Sequence, residues 1–398
     1  MKVNPVSGHT SSVTGDESLT ADERRAQDIS WNLADAHARQ KMSGDERKEI
    51  LVRFPRFFLD SATFTYSQLE RDAALTFLHS LGQFPGNSTI LSAYSSSVST
   101  MIVARLLRQR QLDVSLTCPT FDNLFALLSA EGLNVKPRDV TNDLGSCTFD
   151  DTWPGCIFEV SPNNPTGHII CRAALTRLAQ FCAETGRVLV LDQSFKGHVR
   201  EACFDHYSVL EQSGADYIVI EDSGKLWPTL DLKVAFLVTS GRLGSELRSV
   251  VDDILLNVSP FMLQLVQEYA RYSCREKPDY ASVRGVIVAN RKQLREEVSS
   301  ASDLLTVAYP DSAVGVEVLD VAPAYYDHFM RALGERKVAV LPTDKFYWHR
   351  RQGAQPCQET LKSQIRIALC RDTDYLRDAL TFLMEAVSVA REAPNHDG

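Results

Sequence analysis

The chain has 398 residues, 42 Lys and Arg against 51 Asp and Glu, a formal charge of −9 and a hydrophobic share of 44%. These proportions predict a folded protein of two or three domains and exclude wholesale disorder. The acidic balance argues against a nucleic-acid surface, and without an apolar run of about 18 residues no membrane span is expected.

In chain order, residues 1–20 are rich in Ser, Thr and Gly, lack the apolar core of a secretory signal, and should be loose. The segment ADERRAQDISWNLADAHARQKM (21–42) predicts a polar helix, with a capping box of Thr20 and Glu23 at its start. Residues 47–84 have helical apolar spacing. From 88 onward, six short β-branched runs alternate with amphipathic segments: STILSAY, LDVSLTC, GCIFEV, RVLVLD, DYIVIED and LKVAFLV. One of the intervening helices ends at Gly186, a good helix stop. This alternation predicts an α/β fold with a mostly parallel, doubly wound sheet. Long helices follow 240, then mixed strands and helices that predict a smaller α+β C-terminal domain. The expected divisions are an arm at 1–45, a large domain at 46–275 and a small domain at 276–398. The nine Cys are odd in number, scattered and without a C-x-x-C pair, which predicts reduced thiols, a cytoplasmic location and no metal site.

In such sheets ligands sit beyond the carboxyl ends of the strands, and the chemistry-bearing residues fall there. Ser95, Ser96 and Ser97 follow the first run and open a helix, where hydroxyls and free N–H groups can seat a phosphate. Phe121 follows the second run, Asn164 in SPNNPTG the third, Asp192 ends the fourth, and Lys225 in EDSGKLWPTLDLK follows the fifth. A Lys can form an imine with an aldehyde; an Asp can hold a pyridinium nitrogen protonated; an Asn can donate to a ring oxygen; an aromatic can stack on the ring. That set suits pyridoxal 5′-phosphate (PLP). Arg366, on the run SQIRIALC, is placed to grip a substrate carboxylate.

The ordered motifs resemble those of the fold-type I aminotransferase family, over roughly residues 45–398. The resemblance implies a large PLP-binding domain and a small C-terminal domain, with Lys225 as the PLP lysine, Asp192 as the pyridinium partner, Asn164 as the ring-oxygen donor and Arg366 as the carboxylate clamp. Lys233 falls where the family usually has a phosphate-binding Arg. Two departures stand out. The family commonly has Tyr where this chain has Phe195, leaving Ser194 as a substitute donor. Asp222 replaces a phosphate-binding Ser.

The blocks WNLADAHARQ, YSSSVS, PTFDN, SPNNPTG, EDSGKLWPTLDLK, DILLNVSP and RIAL further resemble the PLP-dependent L-arginine oxidase/hydroxylase group, which includes enzymes of the enduracididine and azomycin pathways. That resemblance makes the N-terminal segment a lid over bound arginine. Glu23 and Asp35 would face the guanidinium, with Thr20 at the start of the lid and His37 near the reacting carbons. On a continuous helix, Glu23 and Asp35 could share one side. It implies oxidation of L-arginine by dioxygen in a homodimer, for natural-product biosynthesis. The products would be 4-hydroxy-2-ketoarginine, or 2-ketoarginine or a dehydroarginine, with ammonia and peroxide. The alternative is a conventional PLP aminotransferase acting on arginine or another amino acid.

Overall fold

The computed structural model describes residues 18–60, 63–139, 152–229, 231–276, 281–349 and 363–392. Thirteen strands are formed among them: β1 (Trp31–Asn32), β2 (Thr89–Ala93), β3 (Val114–Cys118), β4 (Val135–Asp139), β5 (Cys156–Val160), β6 (Val188–Asp192), β7 (Asp216–Asp222), β8 (Ala235–Thr239), β9 (Leu305–Val307), β10 (Val316–Val321), β11 (Val338–Ala339), β12 (Leu341–Pro342) and β13 (Gln364–Ala368). Seven of them make one sheet in the order β2-β8-β7-β6-β5-β3-β4, in which only β8 runs antiparallel to its neighbours. β3, β5 and β6 are buried along their whole length. Helices cover both faces of such a sheet, so its central strands read as unbroken apolar runs. β4, missed in the sequence, is one of the two edge strands, a place where a proline such as Pro137 is tolerated.

A second sheet, β12-β13-β10-β9, is antiparallel and carries Arg366, which lies opposite Val318. The helix Ala281–Ser299 packs on β9, and Thr373–Glu392 packs on that helix and on β11. No helix among the described residues is long and apolar enough to cross a membrane.

The arm departs most from expectation. Its helix, α1, spans only Leu19–Ala26 and is capped by Ser18, whose hydroxyl accepts from the Ala21 N–H; Thr20 is inside the helix. The chain then straightens. β1 pairs in parallel with β11, and the Ala368 N–H donates to the Leu33 carbonyl. Trp31 stacks on Phe382 at 5.2 Å. Leu33, Ala34, Asp35 and Ala36 are buried without a break, and no helix is formed between Ala26 and Gly44. The reading of 21–42 as one helix is therefore wrong, as is a shared helical side for Glu23 and Asp35. Of the stretch expected to be loose, residues 1–17 lie outside the described residues.

Candidate active site

Since β2, β3, β5, β6 and β7 point the same way, their carboxyl ends open on one edge of the large sheet. A cavity of about 260 Å³ lies there. Its wall includes Ser95, Ser96, Ser97, Phe121, Asn164, Asp192, Ser194, Asp222, Lys225 and Lys233 from the large domain, and Thr20, Glu23 and His37 from the arm. Two of the sequence-predicted residues lie behind that wall. Asp35 is fully buried behind His37, and Arg366 is fully buried beneath Glu23 and Asn164.

Lys225 ends a short turn after β7, and its ammonium lies 5.6 Å from the centre of the Phe195 ring. Asp192 closes β6. One of its oxygens accepts from the Ser194 N–H at 2.9 Å and the Ser194 hydroxyl at 2.6 Å, so Ser194 serves the carboxylate. Burial, aided by the nearby Asp222 charge, pushes the Asp192 carboxyl up despite those bonds and the Lys225 ammonium. A buried carboxylate held in this way wants a cation opposite it.

Asp222 is aimed at its own turn and at the neighbouring helix. It accepts from the Gly224 N–H at 2.7 Å and the Ser96 N–H at 3.2 Å. Burial alone would raise its carboxyl, but Lys233 and Lys225 hold it below the usual carboxylate range. The acid thus occupies one N–H of the helix Ser96–Gln109, whose N-cap is Ser95.

On the arm, Glu23, Asp35 and His37 converge, with donor atoms within 4.8 Å of one another. The turn after α1 brings them together, and three cations answer them. Arg366 donates to Glu23 at 3.0 Å, Arg39 to Asp35 at 3.0 Å, and Lys233 to His37 Nε2 at 2.8 Å. The other imidazole nitrogen, Nδ1, donates to Asp35 at 2.5 Å. The Lys225 charge and burial hold His37 below the usual imidazole range, so the ring is neutral. Burial works to raise Asp35, but the hydrogen bonds from the His37 ring and backbone N–H and the Arg371 charge outweigh it, and the carboxylate stays ionised. Arg371 fixes this stretch of arm through the carbonyls of Asn32, at 2.9 Å, and His37, at 3.0 Å, and through that of Asp35.

These residues fit PLP. The Thr120 hydroxyl is buried on the cavity wall and has no hydrogen-bond partner among the described residues. Lys233 and the helix N-terminus at Ser95, Ser96 and Ser97 line the cavity together, a cation and free N–H groups of the kind that seat a phosphate, and a Cβ at Gly224 would come within 2.5 Å of the Lys233 side chain. Asp192 lines the same cavity and is an acid of the kind that could pair with a ring nitrogen.

The model of the aminotransferase class I and II family matches residues 123–383. The chain belongs to that family. The aminotransferase-family chain is similar to the solved structure of MppP soaked with the product 2-ketoarginine, at 35% identity and a TM-score of 0.80, over 89% of this chain and 98% of that one. It has the fold of LysN, an α-aminoadipate aminotransferase from Thermus thermophilus complexed with N-(5′-phosphopyridoxyl)-L-leucine, at 16% identity and a TM-score of 0.74, over 94% of this chain and 96% of that one. Among curated relatives, the histidinol-phosphate aminotransferase of Nocardia farcinica is 28% identical over 40% of this chain; the match spans 38% of that relative's length. The architecture is accordingly the fold-type I fold of PLP-dependent aminotransferases.

Sequence reasoning missed Thr120, Arg39, Arg371, Gln40 and His198. Gln40 donates to the Leu226 carbonyl at 2.9 Å, and His198 contacts the Lys225 carbonyl at 2.7 Å. The one legible signal is that His198 stands six residues after Asp192, in the same turn as Phe195.

Proposed function

We propose that this chain binds PLP at Lys225 and oxidises L-arginine with dioxygen. The observation that carries the proposal is the joining, in one cavity, of a full PLP set with Glu23 and His37 of the arm, with Asp35 directly behind His37, in a chain similar over most of its length to MppP. Bound PLP supplies an electron sink for the pair left when a substrate Cα loses its proton.

The residues then divide the work. Lys225 takes the Cα proton, and Asp192 holds the ring nitrogen's charge. Asn164 and Phe121 orient the ring. Ser95, Ser96, Ser97 and Lys233 hold the phosphate, and Asp222 trims the positive charge there. Glu23 now sits on Arg366 where a substrate α-carboxylate would, and Arg39 sits on Asp35 where a substrate guanidinium would. Arginine therefore replaces one internal ion pair at each end, and Thr20 and α1 close over it and exclude water. Lys233 turned to the phosphate frees His37 Nε2, a neutral base backed by Asp35, to hold water against Cγ. The hydroxyl absent at Phe195 removes a donor that a transaminating site would use.

The net reaction balances. Arginine, one dioxygen and one water give 2-ketoarginine, ammonia and one hydrogen peroxide. A second dioxygen and water give 4-hydroxy-2-ketoarginine and a second peroxide; release before water enters gives a dehydroarginine. The rival, amino transfer to a keto acid, is favoured by the shared family of aminotransferases. Purified protein, PLP and arginine in an oxygen electrode separate the two. Uptake without a keto acid supports oxidation. No uptake, but amino transfer to pyruvate or 2-oxoglutarate, refutes it.

A further inference from the structure

His198 is fully enclosed between the two sheets, in the turn after β6. Both of its ring nitrogens are used. Nδ1 accepts from the Gly315 N–H at 3.0 Å, so Nε2 carries the proton and donates it to the Lys225 carbonyl at 2.7 Å. Phe195 packs edge-on against the ring at 5.2 Å. The far partner belongs to the small sheet. Gly315 precedes β10, its carbonyl accepts from the Leu369 N–H at 2.9 Å, and three residues on Val318 pairs with Arg366. The approach requires glycine, since a Cβ at 315 would lie 2.6 Å from Cys370 Sγ and 2.7 Å from His198. Arg291 stiffens the same stretch through the carbonyls of Val314 and, at 3.1 Å, Val316.

The geometry points to His198 as a positioning residue that ties the backbone of the Lys225 turn to the small sheet carrying Arg366, so that carboxylate capture at Arg366 is transmitted to the lysine. The path is short and contiguous: β13, β10, Gly315, the imidazole, the Lys225 carbonyl. Every link is a hydrogen bond or strand pairing named above. Gln40 grips the next carbonyl, Leu226, from the arm, so the turn has one tether to each moving part. The inference rests on Lys225 being the PLP lysine.

The test uses PLP-loaded protein and 5-guanidinopentanoate, which has the carboxylate and guanidinium of arginine but no α-amino group to react. Visible circular dichroism reports the orientation of the bound cofactor. In the wild type the ligand changes that signal. His198→Leu abolishes both bonds and should shrink the change about fivefold or more, while ligand affinity stays within about threefold because Arg366 is intact. His198→Gln keeps an N–H for the Lys225 carbonyl but loses the acceptor for the Gly315 N–H, and His198→Asn does the reverse, so neither should restore the change. Both keep a polar side chain, and either one decides the matter if the Leu variant fails to fold. A wild type whose signal ignores the ligand, or a Leu, Gln or Asn variant that keeps the full response, overturns the inference. A Lys225→Ala protein that retains the wild-type visible signal fails the lysine assignment instead.

Discussion

Replacing Asp192 with Asn should move apo stability and cofactor affinity in opposite directions. The carboxyl is buried at the end of β6, and its pKa is raised by burial and by Asp222. A carboxyl raised in the fold contributes stability that is fully present below its unfolded value and lost as pH rises through the folded value. Apo protein at neutral pH therefore carries a charge it would rather shed. Asn keeps an oxygen for both Ser194 donors and removes the charge, a gain of about 1–2 kcal/mol, or roughly one to three degrees in melting temperature. The gain should vanish in acid, where Asp192 is protonated anyway. PLP binding should suffer, because the ring nitrogen loses an ionic partner in a buried site. A loss of about 3–5 kcal/mol corresponds to a roughly 150- to 4,000-fold rise in Kd. Melting curves of apo protein across pH, with fluorescence titration of PLP, measure both. An Asn variant that binds PLP as tightly as the wild type, or whose apo form is less stable at neutral pH, would refute the pyridinium assignment.

Other outcomes follow from the same geometry. Arg366→Lys exchanges a planar fork for a point charge in a fully buried site, and kcat/KM for arginine should fall about 10- to 150-fold, mostly through KM; steady-state kinetics reads it. His37→Ala should leave arginine oxidation running but divert product from the hydroxylated compound to 2-ketoarginine or dehydroarginine, read by mass spectrometry. Because His37 titrates below its usual 6.5, the hydroxylated share in the wild type should stay flat through neutral pH and drop only at lower pH. Burial pulls His198 down to about 4 from 6.5, so the unfolded state binds the extra proton and stability should rise with pH across that window, by about 3 kcal/mol. His198→Gln should flatten that part of the melting-temperature profile.

The large sheet was legible because its strands are buried on both faces. RVLVLD and DYIVIED state their burial in their composition, and each ends in a carboxylate of the cavity wall, Asp192 and Asp222. β4 was not, because an edge strand reading VKPRD needs no apolar pattern. The arm was misread for a different reason. Ala is the best helix former, but Ala34, Ala36 and Ala38 are small so that the extended arm can lie close against the small sheet, a tertiary demand that overrides propensity. Glu23, Asp35 and His37 were nevertheless singled out together, and they do converge, by a turn and a strand rather than along one helix. Gln40 carried no signal and His198 only its place six residues after Asp192, since each acts on a backbone carbonyl, and no spacing rule announces such a partner.

The account is tested most directly by oxygen stoichiometry. PLP-loaded protein is given a limiting amount of L-arginine in a sealed chamber without a keto acid, and dioxygen consumed is compared with the products by mass. One dioxygen for each 2-ketoarginine and two for each 4-hydroxy-2-ketoarginine are expected, with no consumption by Lys225→Ala. Full turnover without oxygen once a keto acid is supplied, or unchanged consumption by Lys225→Ala, would contradict it.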